Sequence, residues 1–115
     1  MQHRAPWVHN GDTWGIPGGA RDSHESAVQA AIREAHEEIG IFEKDLTTGE
    51  VFIDDHGVWS YHTVIAKAHP ELVAYELNDE SKEVAWVPIT EVAEKKLHPS
   101  FANTWPQLLE KIQSI

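Results

Sequence analysis

"GGARDSHESAVQAAIREAHEEIGI", residues 18–41, decides how this chain is read. Val28, Ile32, Ala35 and Ile39 recur at intervals of 4, 3 and 4 residues, the spacing that aligns one face of an α-helix. Asp22 or Ser23 is available as an N-cap, Asp22 and Glu25 have capping-box spacing, and Gly40 suits a C-terminal stop. The pattern predicts a helix from about residue 22 to Ile39. Its C-terminal half carries Glu34, Glu37 and Glu38 at i, i+3 and i+4. Like charges at that spacing repel, each pair costing a few tenths of a kcal/mol. Such a cluster is either a solvated face or the bed of something cationic. Carboxylate oxygens are hard ligands suited to Mg²⁺ or Mn²⁺. Gly18 and Gly19, just ahead of the helix, let backbone approach a ligand closely.

Outward from the helix, residues 5–22 are rich in Gly, Pro, Asn and Asp and read as a loop, with "WGIPGG" (14–19) as a short strand or turn inside it. Strand-like runs follow at 50–54, 58–68 and 83–89, while 71–77 is ambiguous. Thr90 is placed to cap a helical turn in "TEVAEKK" (90–96). A last helix is expected over 104–114, with Pro106 in its first turn and Leu108, Leu109, Ile112 and Ile115 as its apolar positions. This order predicts one mixed α/β domain with the acidic helix packed on a sheet.

The 115 residues suffice for one domain with a real core, and no repeat, low-complexity stretch or linker divides them. With no cysteine, disulfides, thiolate metal sites and cysteine nucleophiles are excluded, which fits a cytoplasmic setting. No apolar run is long enough to span a membrane, and "MQHRAPWVHNG" does not read as a signal peptide. Nine Lys and Arg against nineteen Asp and Glu give a net charge of −10. That argues against a nucleic-acid polymer or an anionic membrane as partner. A small phosphorylated ligand remains open if a metal supplies the positive charge.

The polar positions form a longer string: Gly19, five residues, Glu25, seven residues, then Arg33, Glu34, Ala35, His36, Glu37, Glu38, Ile39, Gly40 and Ile41. This string resembles the signature box of the Nudix hydrolases, and "WGIPGG" resembles that family's lead-in. Ala35 is smaller than the aliphatic residue usual at its position. The resemblance implies an α/β/α sandwich around a mixed sheet, with the box as loop–helix–loop. It implies hydrolysis of a diphosphate joined to another moiety, usually on a nucleoside, with Mg²⁺ or Mn²⁺ as cofactor. Glu34, Glu37, Glu38 and the Gly18 carbonyl would hold the metal, Arg33 would orient a box glutamate, and Gly19 and Glu25 would support the loop. Water attacks phosphorus, and phosphate or pyrophosphate leaves. The general base would be Glu34, Glu38 or Glu80, with Glu83 a weaker candidate.

Trp7, Trp14, His98, Phe101 and Trp105 are candidate walls of a nucleobase pocket, with core packing the alternative for the aromatic ones. "LHPSFANTWPQLL" (97–109) loosely resembles the base-holding segment of members that sanitise oxidised nucleotides. None of the eight histidines pairs at a metal-binding spacing: His3, His9, His24 and His36 read as surface, and His56 and His62 receive no role. The proline that marks many ADP-ribose-cleaving members is replaced here by Asp55-His56-Gly57. The expectation is therefore a MutT-like cleaver of nucleoside triphosphates, oxidised ones included, giving monophosphate and pyrophosphate. The alternatives are an impaired nucleotide-binding module and an ADP-ribose or nucleotide-sugar pyrophosphatase. Only 18 residues precede the box, fewer than members usually carry. "MQHRAPW" then reads as the tail of a first strand, so the fold is expected to lack that N-terminal strand. A misassigned start, a trimmed chain or a second copy completing the sheet as a homodimer would each account for it.

Overall fold

The computed structural model describes residues 1–19, 21–58, 60–76 and 81–115. The elements run β1 Gln2–Arg4, β2 Trp14–Gly15, α1 Ala27–Ile39, β3 Leu46–Asp55, β4 Ser60–Ala68, β5 Ser81–Val84 and α2 Pro99–Gln113, with 3₁₀ turns at Glu43–Asp45 and Val92–Glu94. β1 is the centre of an antiparallel sheet in the order β2-β1-β5, and β3 and β4 form a separate antiparallel hairpin. A parallel bridge between Trp14 and Leu97 makes the pairing mixed. The expected tail of a strand, "MQHRAPW", is thus a short strand with partners on both sides. Among the described residues β4 pairs only with β3, so its other edge is open.

α1 begins later than its sequence suggests. Ser26 is the N-cap and forms a capping box with Gln29. The earlier pair, Asp22 and Glu25, closes a turn instead, with the Glu25 N–H donating to the Asp22 carbonyl at 3.0 Å. At the other end Gly40 is left-handed, φ 72°, and its N–H closes on the His36 carbonyl. An added Cβ there would also meet the Tyr75 ring at 2.9 Å. Ala35 and Ile39 are buried as the stripe requires, and Glu38 is buried beside them. The helix packs on β3 and β4.

Other boundaries differ for reasons visible in the backbone. The strand expected over 83–89 is Ser81–Val84. Ala85 still donates to the Met1 carbonyl, and beyond it β1 offers no further partner. Thr90 caps nothing, because the turn starts from Glu91 and lasts only through Val92–Glu94. The chain then extends so that the Lys96 carbonyl and His98 N–H bond the backbone of Trp14. Residues 71–76 carry no regular element, and Leu77 lies outside the described residues. α2 starts at Pro99 behind the cap His98, which puts Pro106 in the helix interior rather than its first turn. Pro106 is exposed, so its ring stands outside the packed face.

The core is built by α2. Trp105 and Leu108 are buried with Val92, and Phe52, Leu97, Phe101 and Ile112 pack around them. Leu108 is 3 % exposed. Leu108→Ala should cost about 2–5 kcal/mol, by lost transfer energy plus the cavity left. Urea unfolding followed by tryptophan fluorescence would measure it, and a loss well below that range would mean the site collapses around the smaller side chain.

Candidate active site

A cavity of about 830 Å³ lies between the two sheets. Gln2, Arg4, Gly18, Gly19, Glu34, His98 and Phe101 are among its walls. β4 contributes the consecutive residues Ser60 to Val64. Successive strand residues point to opposite faces, so a cavity lined by all of them runs along the open edge of β4.

Beside Glu34, which lines the cavity, Arg33 gathers the carboxylates. The guanidinium meets Glu25 through two hydrogen bonds, Nε to Oε2 at 2.8 Å and Nη2 to Oε1 at 2.9 Å. Nη1 donates to Glu34 at 3.0 Å and reaches Glu37 at 3.4 Å. This pairing holds the Glu25 carboxyl down at about 2, with the Asp22 N–H adding to the effect. The same carboxylates raise the pKa of Arg33. Glu25 therefore ties the turn at 22–25 to Arg33 on the helix.

Glu34 projects towards the cavity and rests on Gly19, where a Cβ would stand 2.5 Å from its Oε1. A side chain at position 19 would occupy the place of the carboxylate. Glu38 lies deeper, 5 % exposed. Its Oε2 accepts from the Gly18 N–H at 3.1 Å and its Oε1 from the Gln2 Nε2 at 3.1 Å. Burial, together with the neighbouring Glu34, pushes its pKa up to about 7, against the pull of Gln2 and Gly18. Glu37 stands on the exposed side of Arg33.

Glu25, Glu34 and Glu37 thus share one arginine, while Glu38 is bonded to neutral donors and Glu34 raises its pKa. That imbalance, the hard oxygen donors and the glycine cradle fit a divalent cation. No group of three or more His, Asp or Glu side chains among the described residues stands as a finished cage.

The aromatic candidates divide. Phe101 and His98 reach the cavity. His98 Nδ1 accepts from the Ser100 N–H at 3.2 Å, and Nε2 pairs with the Asn10 side-chain amide at 3.2 Å. Burial, with Arg4 and His9, lowers its pKa. Trp7, Trp14 and Trp105 are placed elsewhere. Trp7 is 72 % exposed, and Trp105 is in the core. Trp14 stacks on His3 with ring centroids 4.7 Å apart. Gln2 and Arg4 take the cavity face of β1, so the alternation sends His3, and Trp14 opposite it, to the other face. Glu83, the partner of His3 in the ladder, goes the same way. Glu80 lies outside the described residues. Sequence reasoning missed Gln2 and Ser81, which meet at Glu38 from positions 2 and 81 with no local motif to mark them.

The raised pKa of Glu38 has a sign that can be tested. Between its ordinary value of 4.5 and its folded value of about 7, the native state binds the extra proton. Stability therefore falls as pH rises through that window and levels above it. In metal-free buffer Tm should drop from pH 5 to pH 7, and Glu38→Gln should flatten that slope. An equal slope in the variant would assign the effect to another group.

Residues 1–108 match the NUDIX domain family model. The chain is 48 % identical over 114 residues to "Putative 8-oxo-dGTP diphosphatase 3" of Mycobacterium tuberculosis, covering 94 % of this chain and 52 % of that protein. It is 41 % identical over 117 residues to a nucleoside triphosphate pyrophosphatase/Nudix hydrolase fusion protein of Bifidobacterium longum, covering 100 % of this chain and 24 % of the fusion. This chain therefore spans about half the length of the first relative and about a quarter of the second. The crystal structure of a Nudix hydrolase from M. smegmatis, RenU, superposes with a TM-score of 0.91 at 45 % identity, over 99 % of this chain and 74 % of that one. An α/β fold of that type, the Gly19-to-Ile41 string on a loop and helix, and a family match across nearly the whole chain lead to one conclusion: this chain belongs to the Nudix family.

Proposed function

We propose that this domain hydrolyses a nucleoside diphosphate linked to another moiety, with a nucleoside triphosphate, oxidised ones included, as substrate and monophosphate and pyrophosphate as products. The observation that carries the reading is Glu38, buried beside Glu34 and held by neutral donors, with its pKa pushed up to about 7 by burial and that neighbour. Names of the relatives that refer to 8-oxo-dGTP and to nucleoside triphosphates support the substrate class.

Glu34, Glu37, Glu38 and the Gly18 carbonyl would hold Mg²⁺ or Mn²⁺. Bound there, the ion supplies charge neutralisation for the phosphates and a lowered pKa for water. The protein's own part is positioning and proton transfer, which is most of what phosphoryl transfer asks of it. Arg33 sets the height and direction of Glu34 and Glu37, and the Gly18-Gly19 backbone leaves room for phosphate. Glu34, the box carboxylate that lines the cavity, is the base best placed to take the proton of the attacking water. The new P–O bond forms as the anhydride P–O bond breaks and pyrophosphate leaves with its electron pair. Phe101 and His98 offer a wall and a polar edge for the base.

The test is release of phosphate and pyrophosphate, with and without Mg²⁺, from canonical and 8-oxo nucleoside triphosphates, ADP-ribose, NADH and dinucleoside polyphosphates. Turnover of a triphosphate only with metal is expected. Turnover confined to ADP-ribose would select the ADP-ribose or nucleotide-sugar alternative. Glu37→Gln and Glu38→Gln should each cost several kcal/mol of transition-state stabilisation, about 100-fold or more in rate. Arg33→Ala should cost about 10–100-fold, the range for a residue that orients metal ligands. Full activity in any of the three variants would contradict its assigned place.

The two-residue edge strand β2 favours a second reading alongside the first, a homodimer in which a second copy completes the sheet. Sedimentation equilibrium should return twice the 13.0 kDa chain mass. A monodisperse, fully active monomer would exclude it.

A further inference from the structure

We infer that Gln2 is a positioning residue for the cation site, fixing the direction of Glu38 with a neutral donor that brings no positive charge to compete with a metal. The inference rests on the metal-site reading above and extends it to β1 and β5.

Gln2 is 2 % exposed, the largest fully buried side chain among the described residues. Burying a carboxamide is unfavourable unless its polar atoms are paired. An apolar side chain of similar length would fill the same space without that penalty. The two N–H donors of Gln2 are both spent: one on Glu38 Oε1 at 3.1 Å, the other on Ser81 Oγ at 2.7 Å. Its Oε1 has no partner among the described residues. An amide kept for packing alone would satisfy both ends. This one satisfies only the end that faces the carboxylate.

The contrast with Arg33 gives the arrangement its meaning. Glu25, Glu34 and Glu37 lie on a guanidinium, which orients them and neutralises them at once. Glu38 is gripped at both oxygens by uncharged donors, the Gln2 amide on Oε1 and the Gly18 N–H on Oε2. Neutral donors fix the plane of a carboxylate and bring no positive charge to it. Each oxygen keeps a further lone pair. Ser81 in turn tethers the amide, so the grip ties the end of α1 to the first residue of β5, 79 positions along the chain from Gln2. Outer partners of this kind set metal affinity by fixing ligand direction.

The experiment compares wild type with Gln2→Met, which keeps length and removes the amide, and Ser81→Ala, which removes the tether. Mn²⁺ binding is counted by the electron paramagnetic resonance signal of the free ion. Mg²⁺ dependence of pyrophosphate release is followed in parallel, together with Tm. Gln2→Met should raise the Mn²⁺ Kd about 10–100-fold, with Ser81→Ala moving it the same way by a smaller factor. The Mg²⁺ needed for half-maximal rate should rise in step, and the lost rate should return as Mg²⁺ is raised. A lower Tm with Mn²⁺ affinity within about twofold of wild type would make Gln2 a structural residue and overturn the inference. Should Gln2→Met not fold, Ser81→Ala decides: an unchanged Mn²⁺ Kd overturns it. Wild type that neither binds Mn²⁺ nor hydrolyses any nucleotide would overturn the metal-site reading itself, and this inference with it. Wild type that does both, beside unaffected variants, removes only Gln2.

Discussion

One guanidinium serves the carboxylates gathered at the front and face of α1, and the rest of the site is arranged around that shortage. Arg33 reaches Glu25 with two hydrogen bonds and Glu34 with another. The bonds to Glu25 tie the turn at 22–25 to the helix. The bond to Glu34 sets that carboxylate against Gly19, where an added Cβ would push it aside. Glu38 is left to neutral donors, and burial holds it near its protonated form. A divalent ion held there, as proposed above, would balance that charge.

The two sheets place this helix end at the edge of a sizeable cavity. β1 sends Gln2 and Arg4 inward and His3 outward, which stacks Trp14 against His3 on the far side. The hairpin β3–β4 supports α1 and offers its open edge to the same space. α2 closes the other flank, with Trp105 and Leu108 in the core while Phe101 reaches the cavity from the same helix. The walls of the cavity thus come from β1, β4 and α2 as well as from α1.

Much of the helix and its chemistry was legible from spacing. The apolar stripe, the glycine stop and the paired glutamates are local, and a helix turns local spacing into a face. Its start was not, because two capping boxes lie within five residues. Asp22–Glu25 has the pattern and closes a turn, its Glu25 carboxylate shared between the Asp22 N–H and Arg33, eight positions along, while Ser26–Gln29 takes the cap. The last helix misled in the same manner. Pro106 suggested a first turn, but the helix starts seven residues earlier, at Pro99, and its packed face holds Trp105 and Leu108, whose burial outweighs the interior proline.

By itself the sequence determined the acidic helix, its glycine-rich approach, the absence of thiol chemistry and the family to which the pattern belongs, since all of these are written in short intervals or in composition. Which aromatic residues face a ligand was decided only by the tertiary structure. A two-residue strand carries no periodicity from which a side can be read, and the alternation of β1 then sends Trp14 away from the cavity. The role of Gln2 was hidden for the same physical reason. Its partners, Glu38 and Ser81, stand 36 and 79 positions away, and only the pairing of β1 with β5 beside α1 brings the three together.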